Sequence, residues 1–84
     1  MDEAPRYVCP CCHYRTLLNA DDYDICPVCR WEDDPDSRRH GPDAHSGPNH
    51  MSLNEARATY ARLGVVKADQ RPYAREPRPE ESTS

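Results

Sequence analysis

Four cysteines form two Cys-x-x-Cys pairs in the first half of the 84-residue chain: Cys9 with Cys12, and Cys26 with Cys29. A turn of this kind presents both sulfurs to one ion, and the proline after the first cysteine presets the φ angle of the turn. Zn²⁺ prefers four ligands in a tetrahedron and accepts four thiolates. The two pairs, which are separated by 13 residues, therefore predict one structural Zn²⁺ site, with a mononuclear iron centre as the alternative.

The two pairs belong to an internal repeat. Residues 8–14 and residues 25–31, offset by 17 positions, share the order aliphatic, Cys, Pro, x, Cys, basic, aromatic. A period this short, present in two copies, does not fit a solenoid protein. Two copies of one metal-binding turn explain the pattern better.

Cys11 is the odd cysteine, and it lies inside the first turn. Because Cys11 is adjacent to Cys12, the two sulfurs cannot easily share one tetrahedron, so we expect Cys11 near the metal but not bound to it. The other interpretation is an alternative ligand or a redox-sensitive thiol. Cys-Pro-x-Cys also occurs in thiol–disulfide oxidoreductases, but their βαβ pattern is not apparent in this sequence. Zinc held by four cysteines leaves no position for a substrate, so we expect a protein that is not an enzyme.

The composition indicates that the metal is needed for folding. Hydrophobic residues make up 36% of the chain, and there is no phenylalanine. Ordering each residue costs roughly 1–2 kcal/mol of backbone entropy, which so small an apolar set cannot offset. Zinc binding supplies about 10–16 kcal/mol of apparent folding energy in small zinc domains. We therefore expect a metal-dependent fold.

The charge and the N-terminal residues indicate the compartment and the partners. A formal charge of −4 disfavours general binding to phosphate backbones. The residues after Met1 are polar, with no signal-peptide pattern, and no stretch approaches the length of a transmembrane helix. These features predict a cytoplasmic protein without a membrane partner, in a compartment where thiols stay reduced.

Local patterns around the cysteines predict a small metal-bound α+β domain. Residues 14–18 and 23–25 are β-forming and flank a turn signal, which predicts a β-hairpin that carries both turns as a zinc-ribbon-like double knuckle. Residues 35–51 are rich in Pro, Gly, Asp and His and predict a loop. The domain is predicted over residues 7–64, between a polar lead (1–6) and a Pro- and charge-rich extended tail (65–84). From Arg71 onward the tail either wraps over the domain or stays loose, and its charge and Ser-Thr-Ser end favour partial disorder.

Residues 52–63 predict the one helix of the domain. Ser52 and Glu55 form a capping box, and Gly64 follows as a stop signal. An apolar stripe recurs at helical spacing at Leu53, Ala56, Tyr60 and Leu63. Because a helix of about three turns is marginal alone, we expect its stripe to dock on the zinc-bearing hairpin.

Acidic residues concentrate at the hairpin end of the sequence. They are Asp21, Asp22, Asp24, Glu32, Asp33, Asp34 and Asp36. We expect them to form a solvated face or a docking patch for a basic protein partner. The four histidines are His13, His40, His45 and His50. The last three are spaced by five residues in the predicted loop, so we expect solvated side chains and not a second metal site.

Several motifs occur together and in order. They are residues 7–12, residues 23–29, the Trp-Glu-Asp-Asp run at 31–34 and Ser-Leu-Asn-Glu-Ala-Arg at 52–57. This combination resembles the bacterial cysteine-rich CPCC family from about residue 7 to residue 64, and into the tail at 71–72. The resemblance implies a small zinc-binding protein with no established general activity and with Cys9, Cys12, Cys26 and Cys29 as ligands.

The sequence departs from that family at one place. The family usually has glycine after the first CPCC, whereas this chain has His13, and Arg30 stands at the equivalent place in the second turn. A turn that requires a positive φ there needs the histidine to adopt it.

Three functions agree with these observations. The first is a non-catalytic protein-binding module that acts as an adaptor, regulator or inhibitor of another bacterial protein. The second is a zinc-ribbon nucleic-acid binder, which the acidic charge disfavours; stacking and phosphate contacts would come from Tyr14, Trp31, Arg15, Arg30, Arg38 and Arg39. The third is a zinc or redox sensor that uses Cys11.

Overall fold

A computed structural model describes residues 6–20 and 22–83. Its elements are β1 (Tyr7–Val8), β2 (Arg15–Leu17), α1 (Pro35–His40), β3 (His45–Ser46), β4 (Met51–Ser52), α2 (Leu53–Leu63) and two 3₁₀ helices, Ala68–Tyr73 and Pro79–Glu81. The predicted small α+β class is confirmed. The Cα radius of gyration is 12.1 Å, close to the value of about 12 Å expected for a folded chain of this length.

Each Cys-x-x-Cys turn lies at the tip of its own antiparallel pairing. β1 pairs with β2, with Val8 opposite Arg15, and Ile25 forms a single bridge with Glu32. The predicted hairpin of 14–18 with 23–25 is wrong, because the strand after the first turn pairs with the strand before it. The cysteine turn reverses the chain by itself, so the residues that flank it are the nearest strand partners. Both pairings obey the 17-residue offset of the sequence repeat.

The segment predicted as a loop at 35–51 contains regular structure, so that prediction is wrong in part. Asp34 caps α1 by accepting a 3.0 Å hydrogen bond from the backbone N–H of Asp36, and Pro35 stands at the first helical position, where its missing N–H does no harm. Gly41 ends the helix with a φ of 98°. β3 then pairs antiparallel with β4. The Asp-Pro dipeptide was the sequence signal for this short helix.

We call the two cysteine turns with their paired flanks the first knuckle (residues 8–15) and the second knuckle (residues 25–32). A buried polar network attaches the segment 35–51 to the second knuckle. The side-chain amide of Asn49 accepts from the backbone N–H of Glu32 at 2.8 Å and donates to its carbonyl at 2.9 Å. Ser46 donates its hydroxyl to the carboxylate of Asp34 at 2.9 Å. Because these polar groups are buried, their hydrogen bonds satisfy groups that water cannot reach.

The main helix, α2, begins and ends as the sequence predicts. The Ser52 hydroxyl accepts from the N–H of Glu55 at 3.1 Å, and the Glu55 carboxylate accepts from the N–H of Ser52 at 2.7 Å. Gly64 terminates the helix in the left-handed conformation, with a φ of 80°. Leu53 and Ala56 are buried, and Tyr60 packs at the edge of the core.

Neither α-helix within residues 6–20 and 22–83 has the length and apolar character needed to cross a membrane.

The core is built around the cysteines. Its buried members are Cys9, Cys11, Cys12, Leu17, Cys26, Val28, Cys29, Trp31, Leu53, Ala56 and Val66. Five of these eleven side chains are thiols, which alone supply little of the apolar area that drives folding. The aliphatic stripe of α2 therefore docks on the cysteine turns.

The chain after Gly64 packs on the domain, which is one of the two arrangements that the sequence leaves open for the tail and not the disordered one that it favours. Val65 and Val66 are buried, and Val66 donates its backbone N–H to the carbonyl of Cys29 at 2.9 Å. Further on, Arg75 donates its backbone N–H to the carbonyl of Pro27 at 3.0 Å. We call residues 65–81 the C-terminal strap, because they run back across the second knuckle.

Candidate metal centre

The two knuckles have the same backbone hydrogen bonds. In the first, Cys9 donates its N–H to the carbonyl of Tyr14 at 2.9 Å and accepts at its own carbonyl from His13 at 2.8 Å. In the second, Cys26 makes the equivalent bonds with Trp31 and Arg30, at 2.9 and 2.8 Å. The sequence repeat is therefore a repeat of conformation, and each copy presents its two cysteines in the same way.

His13 and Arg30 both adopt the left-handed conformation, with φ of 67° and 72°. A positive φ brings Cβ close to the following carbonyl and costs roughly 1–2 kcal/mol for residues other than glycine. The turn therefore does require the backbone conformation for which glycine is suited, and two bulky residues adopt it. The backbone hydrogen bonds of each turn and the surrounding core therefore outweigh this local strain.

The four sulfurs of Cys9, Cys12, Cys26 and Cys29 lie within 4.8 Å of one another. The Cys9 and Cys29 sulfurs are 3.6 Å apart, and those of Cys12 and Cys26 are 3.7 Å apart. A tetrahedron with Zn–S bonds of about 2.3 Å has edges of about 3.8 Å. Disulfide bonds are far shorter, at about 2.05 Å, and all five cysteines are free. The donor set thus fits one metal ion of this size.

The four cysteine side chains are buried and close together, so four negative charges there would be strongly unfavourable without a cation. Hydrogen bonding to neighbouring sulfurs and burial raise the pKa of the Cys9 and Cys12 thiols. The pKa of Cys29 is raised as well, first by Cys11 and then by Cys26 and Cys9, against a lowering contribution from Cys12, whereas neighbouring thiols that donate to Cys26 lower its pKa. Burial and proximity therefore disfavour the ionisation of all four thiols at once when no cation is bound. A divalent cation allows all four to ionise.

Thr16 makes a polar contact with one of the four candidate ligand sulfurs. Its hydroxyl lies 2.9 Å from the Cys26 sulfur, and its side chain is buried on β2. A hydroxyl hydrogen bond to a thiolate stabilises the charge and fixes the orientation of the ligand. Sequence reasoning missed this residue, because its role depends on the pairing of β2 with β1.

Cys11 is buried, with 3% of its surface exposed, and it is not a member of the four-sulfur group. Its position agrees with the expectation of a thiol that packs near the metal. Because so little of it is exposed, a soluble oxidant reaches it poorly in the folded protein.

Two members of the predicted acidic face are buried inside the fold. Asp33 and Asp34 are 0% and 3% exposed; the first pairs with Arg38 at 3.1 Å. Asp24 accepts the backbone N–H groups of Leu18 and Asn19. The prediction of a solvated face or docking patch is therefore wrong for Asp33 and Asp34, whereas Asp22 and Asp36 are exposed. Asp21 lies outside the described residues.

The histidines do not join the metal centre. His13, His40, His45 and His50 are all exposed. Among residues 6–20 and 22–83, the four cysteines are the one group of potential ligands close enough to hold an ion. The structure therefore places a single candidate metal site in the part of the chain that it describes.

A closed set of four sulfurs suits a structural ion, because it leaves no coordination position for water or substrate. Comparison with curated proteins returned no match. A family model described as cysteine-rich CPCC matches residues 7–81, a range that includes both knuckles, α2 and the C-terminal strap. The chain belongs to the cysteine-rich CPCC family.

Proposed function

We propose that the protein is a cytoplasmic module, stabilised by one Zn²⁺ ion, that binds another protein without catalysing a reaction. Support for zinc comes from the sulfur separations of 3.6 and 3.7 Å and from the preference of this ion for four thiolates. Iron accepts the same ligands. Native mass spectrometry of protein purified without added metal gives the identity and number of bound ions: one zinc supports the proposal, whereas iron or two ions contradicts it.

The observation that carries the binding function is an exposed groove lined by two large apolar side chains, Leu18 and Ile25. Among the described residues, the large hydrophobic side chains that are exposed are Tyr7, Val8, Leu18, Tyr23, Ile25 and Tyr73. All but Tyr73 belong to the first 25 residues. Leu18 and Ile25 are 54% and 47% exposed and line one groove of about 350 Å³ together with Arg6, Thr16, Asp24 and Pro27. We name the groove that Leu18 and Ile25 line the apolar groove.

Exposing the side chains of the apolar groove to water has a free-energy cost that a domain with so small a core offsets poorly. Exposed apolar grooves are typical of sites where another macromolecule docks. The metal centre gives the apolar groove a rigid support, because β2 carries both the buried Thr16 and, next to its end, the exposed Leu18. A rigid surface loses less conformational entropy when it binds.

A capture experiment with matched variants tests this function. The double substitution Leu18→Ser with Ile25→Ser removes the groove, whereas Tyr73→Ser removes an exposed aromatic ring elsewhere on the molecule. We expect the wild type and the Tyr73 variant to retain the same protein from a native lysate at physiological salt, and the double variant to lose it. Retention of no protein, or equal retention by all three, contradicts the proposal.

A further inference from the structure

A second groove lies next to the apolar groove, and the two share the side chain of Ile25. The second groove has a volume of about 210 Å³, against about 350 Å³ for the apolar groove, and Ile25 belongs to the lining of both. Ile25 is exposed, and its backbone bridges to Glu32 in the second knuckle. The grooves are therefore neighbours with an apolar side chain between them. We call the two together the double groove.

Basic side chains line both parts of the double groove. Arg6 lines the apolar groove, and Arg30 and Lys67 line the second groove. All three are partly buried. None of them forms an ion pair with another residue in the ranges 6–20 and 22–83. The double groove therefore contains three cations whose charge no carboxylate of the described chain neutralises at close range.

Arg6 is incompletely partnered in a second respect. Its Nε atom is buried and has no hydrogen-bond acceptor within the part of the chain that the structure describes. A buried donor without an acceptor is costly, and the cost is larger for a charged group. A carboxylate brought to this guanidinium from outside compensates its charge and supplies acceptors for its remaining donors.

The contacts of Arg30 are with neutral groups. Its Nε donates to the side-chain oxygen of Gln70 at 3.4 Å, and its guanidinium lies 6.0 Å from the centre of the Tyr73 ring. These contacts hold the guanidinium in position without removing its charge. A side chain that is already held in position loses less conformational entropy when a carboxylate binds to it.

Two carboxylates also line the double groove. Asp24 accepts the backbone N–H groups of Leu18 and Asn19, at 3.1 and 2.8 Å, so its charge is already engaged by the chain itself. Glu32 lies in the second groove. Three cations against two carboxylates give the lining a formal charge of +1, in a chain whose formal charge is −4. The double groove is therefore positive relative to the molecule as a whole.

An acidic peptide fits this lining better than a nucleic acid does. The two carboxylates among the cations repel the successive phosphates of a nucleic-acid backbone. Among the described residues that line the two grooves, none is aromatic, so a base has no ring on which to stack. The apolar side chains instead suit an aliphatic or aromatic side chain of a peptide.

We propose that the double groove binds an acidic segment of a partner protein, whose apolar side chain contacts Leu18 and Ile25 and whose flanking carboxylates pair with the three cations. The inference rests on the proposed protein-binding function and adds the charge of the partner. It differs from the basic partner that the acidic residues of the sequence suggest. Two of those acidic residues, Asp33 and Asp34, are buried and face no partner.

Two synthetic peptides test the preference for an acidic segment. Each has a central leucine, flanked on both sides by three glutamates in the acidic peptide and by three lysines in the basic one. Titration into ¹⁵N-labelled, metal-loaded protein gives the affinity and the amides that shift. We expect the acidic peptide to bind at least about 10-fold more tightly and to shift the amides of Leu18, Ile25 and Lys67. Equal affinities, or shifts confined to other residues, overturn the proposal.

Matched charge variants locate the contact. Arg6→Gln with Lys67→Gln removes two charges from the double groove, whereas Arg62→Gln with Arg78→Gln removes two charges from exposed positions elsewhere. We expect the first pair to weaken binding of the acidic peptide by about 3- to 30-fold and the second pair to change it by less than about 2-fold. The ¹⁵N spectrum shows that each variant is folded. Equal binding by the two folded variants overturns the proposal.

A nucleic-acid probe tests the assignment to protein. A single-stranded thymidine oligonucleotide is titrated under the same conditions. We expect it to bind more weakly than the acidic peptide. An oligonucleotide that shifts the same amides and binds more tightly overturns the assignment.

The proposed function and this inference fail in different ways. In the lysate capture, a protein that the Arg6 and Lys67 variant retains but the Leu18 and Ile25 variant loses overturns the acidic preference alone. Capture of no protein by the wild type overturns the protein-binding function, and the inference with it.

Discussion

The guanidinium Nε of Arg57, on α2, donates a 3.0 Å hydrogen bond to the carbonyl oxygen of Pro10, inside the first knuckle. The main helix is thereby linked to the metal-binding turn by a charge-assisted bond as well as by its apolar stripe. Hydrogen bonds that involve a charged group contribute about 1.5–3 kcal/mol.

We therefore expect Arg57→Ala to lower the free energy of unfolding of the metal-loaded protein by about 1–3 kcal/mol. Arg62→Ala, on an exposed position of the same helix, is the matched control and should change it by less than about 0.5 kcal/mol. Denaturant unfolding at fixed zinc concentration measures both. Equal effects would show that the contact to Pro10 adds nothing.

Replacing His13 with glycine should stabilise the protein. The left-handed φ of 67° strains histidine but not glycine, so His13→Gly should gain about 1 kcal/mol. His13→Ala retains the strain and should be close to neutral. Thermal unfolding of the three metal-loaded proteins gives the ranking, and a destabilised glycine variant would refute the strain argument.

Arg30→Gly should gain less, although its φ of 72° is similar. The Arg30 side chain lies over the ring of Tyr73 at 6.0 Å and reaches Gln70 at 3.4 Å, so the glycine loses two contacts to the C-terminal strap. Unfolding measured beside His13→Gly should show the smaller gain, and an equal gain would mean that these strap contacts contribute nothing.

Thr16 should tune metal affinity. Thr16→Val keeps the shape of the side chain but removes the hydroxyl that meets the Cys26 sulfur at 2.9 Å. Loss of a hydrogen bond from a neighbouring side chain to a metal ligand weakens metal binding by about 10- to 100-fold. Thr16→Ser retains the hydroxyl and should recover most of the affinity. Competition with a chelator of known affinity measures the difference, and an unchanged Val variant would remove this role.

Serine variants should separate Cys11 from the ligands. Cys9→Ser deletes one of four sulfurs and should abolish stable zinc binding, along with the cooperative unfolding transition that depends on it. Cys11→Ser should retain one zinc ion, because its sulfur is outside the group. Metal analysis after gel filtration decides this. A Cys11 variant that loses its zinc would make Cys11 a ligand.

Zinc affinity should fall steeply as the pH falls. Without a cation, the pKa values of Cys9, Cys12 and Cys29 are raised, so protons occupy these thiols throughout the range from pH 6 to 8. Zinc must displace at least about three protons, so the binding constant should drop at least about 10³-fold per pH unit. Chelator competition at several pH values measures the slope. A slope below two protons per ion would contradict the four-thiolate site.

The sequence correctly predicted the features that depend on residues close together in the chain. Ser52, Glu55 and Gly64 marked both ends of α2, because caps act through residues three or four positions apart. The repeat likewise identified Cys9, Cys12, Cys26 and Cys29, which the structure brings together. Such signals need no knowledge of the tertiary fold.

Other features depended on long-range partners and were missed. The strand at 15–17 could pair either with the strand before the first cysteine turn or with residues 23–25. It pairs with the strand before the turn, because the cysteine turn itself reverses the chain. Asp33 and Asp34 resemble surface residues by type, but Arg38 and Ser46 satisfy their carboxylates inside the fold. The docking of Glu81 depends on Arg75 and β2, which no local pattern reveals.

The position of the C-terminal strap also sets an order of events during translation. Arg75 follows Cys29 by 46 residues, a delay of roughly 2–9 s at about 5–20 residues per second. Both knuckles are therefore synthesised before the strap residues that bond to the second one. The carbonyls of Cys29 and Pro27 gain their backbone partners, Val66 and Arg75, only when the last part of the domain has been made.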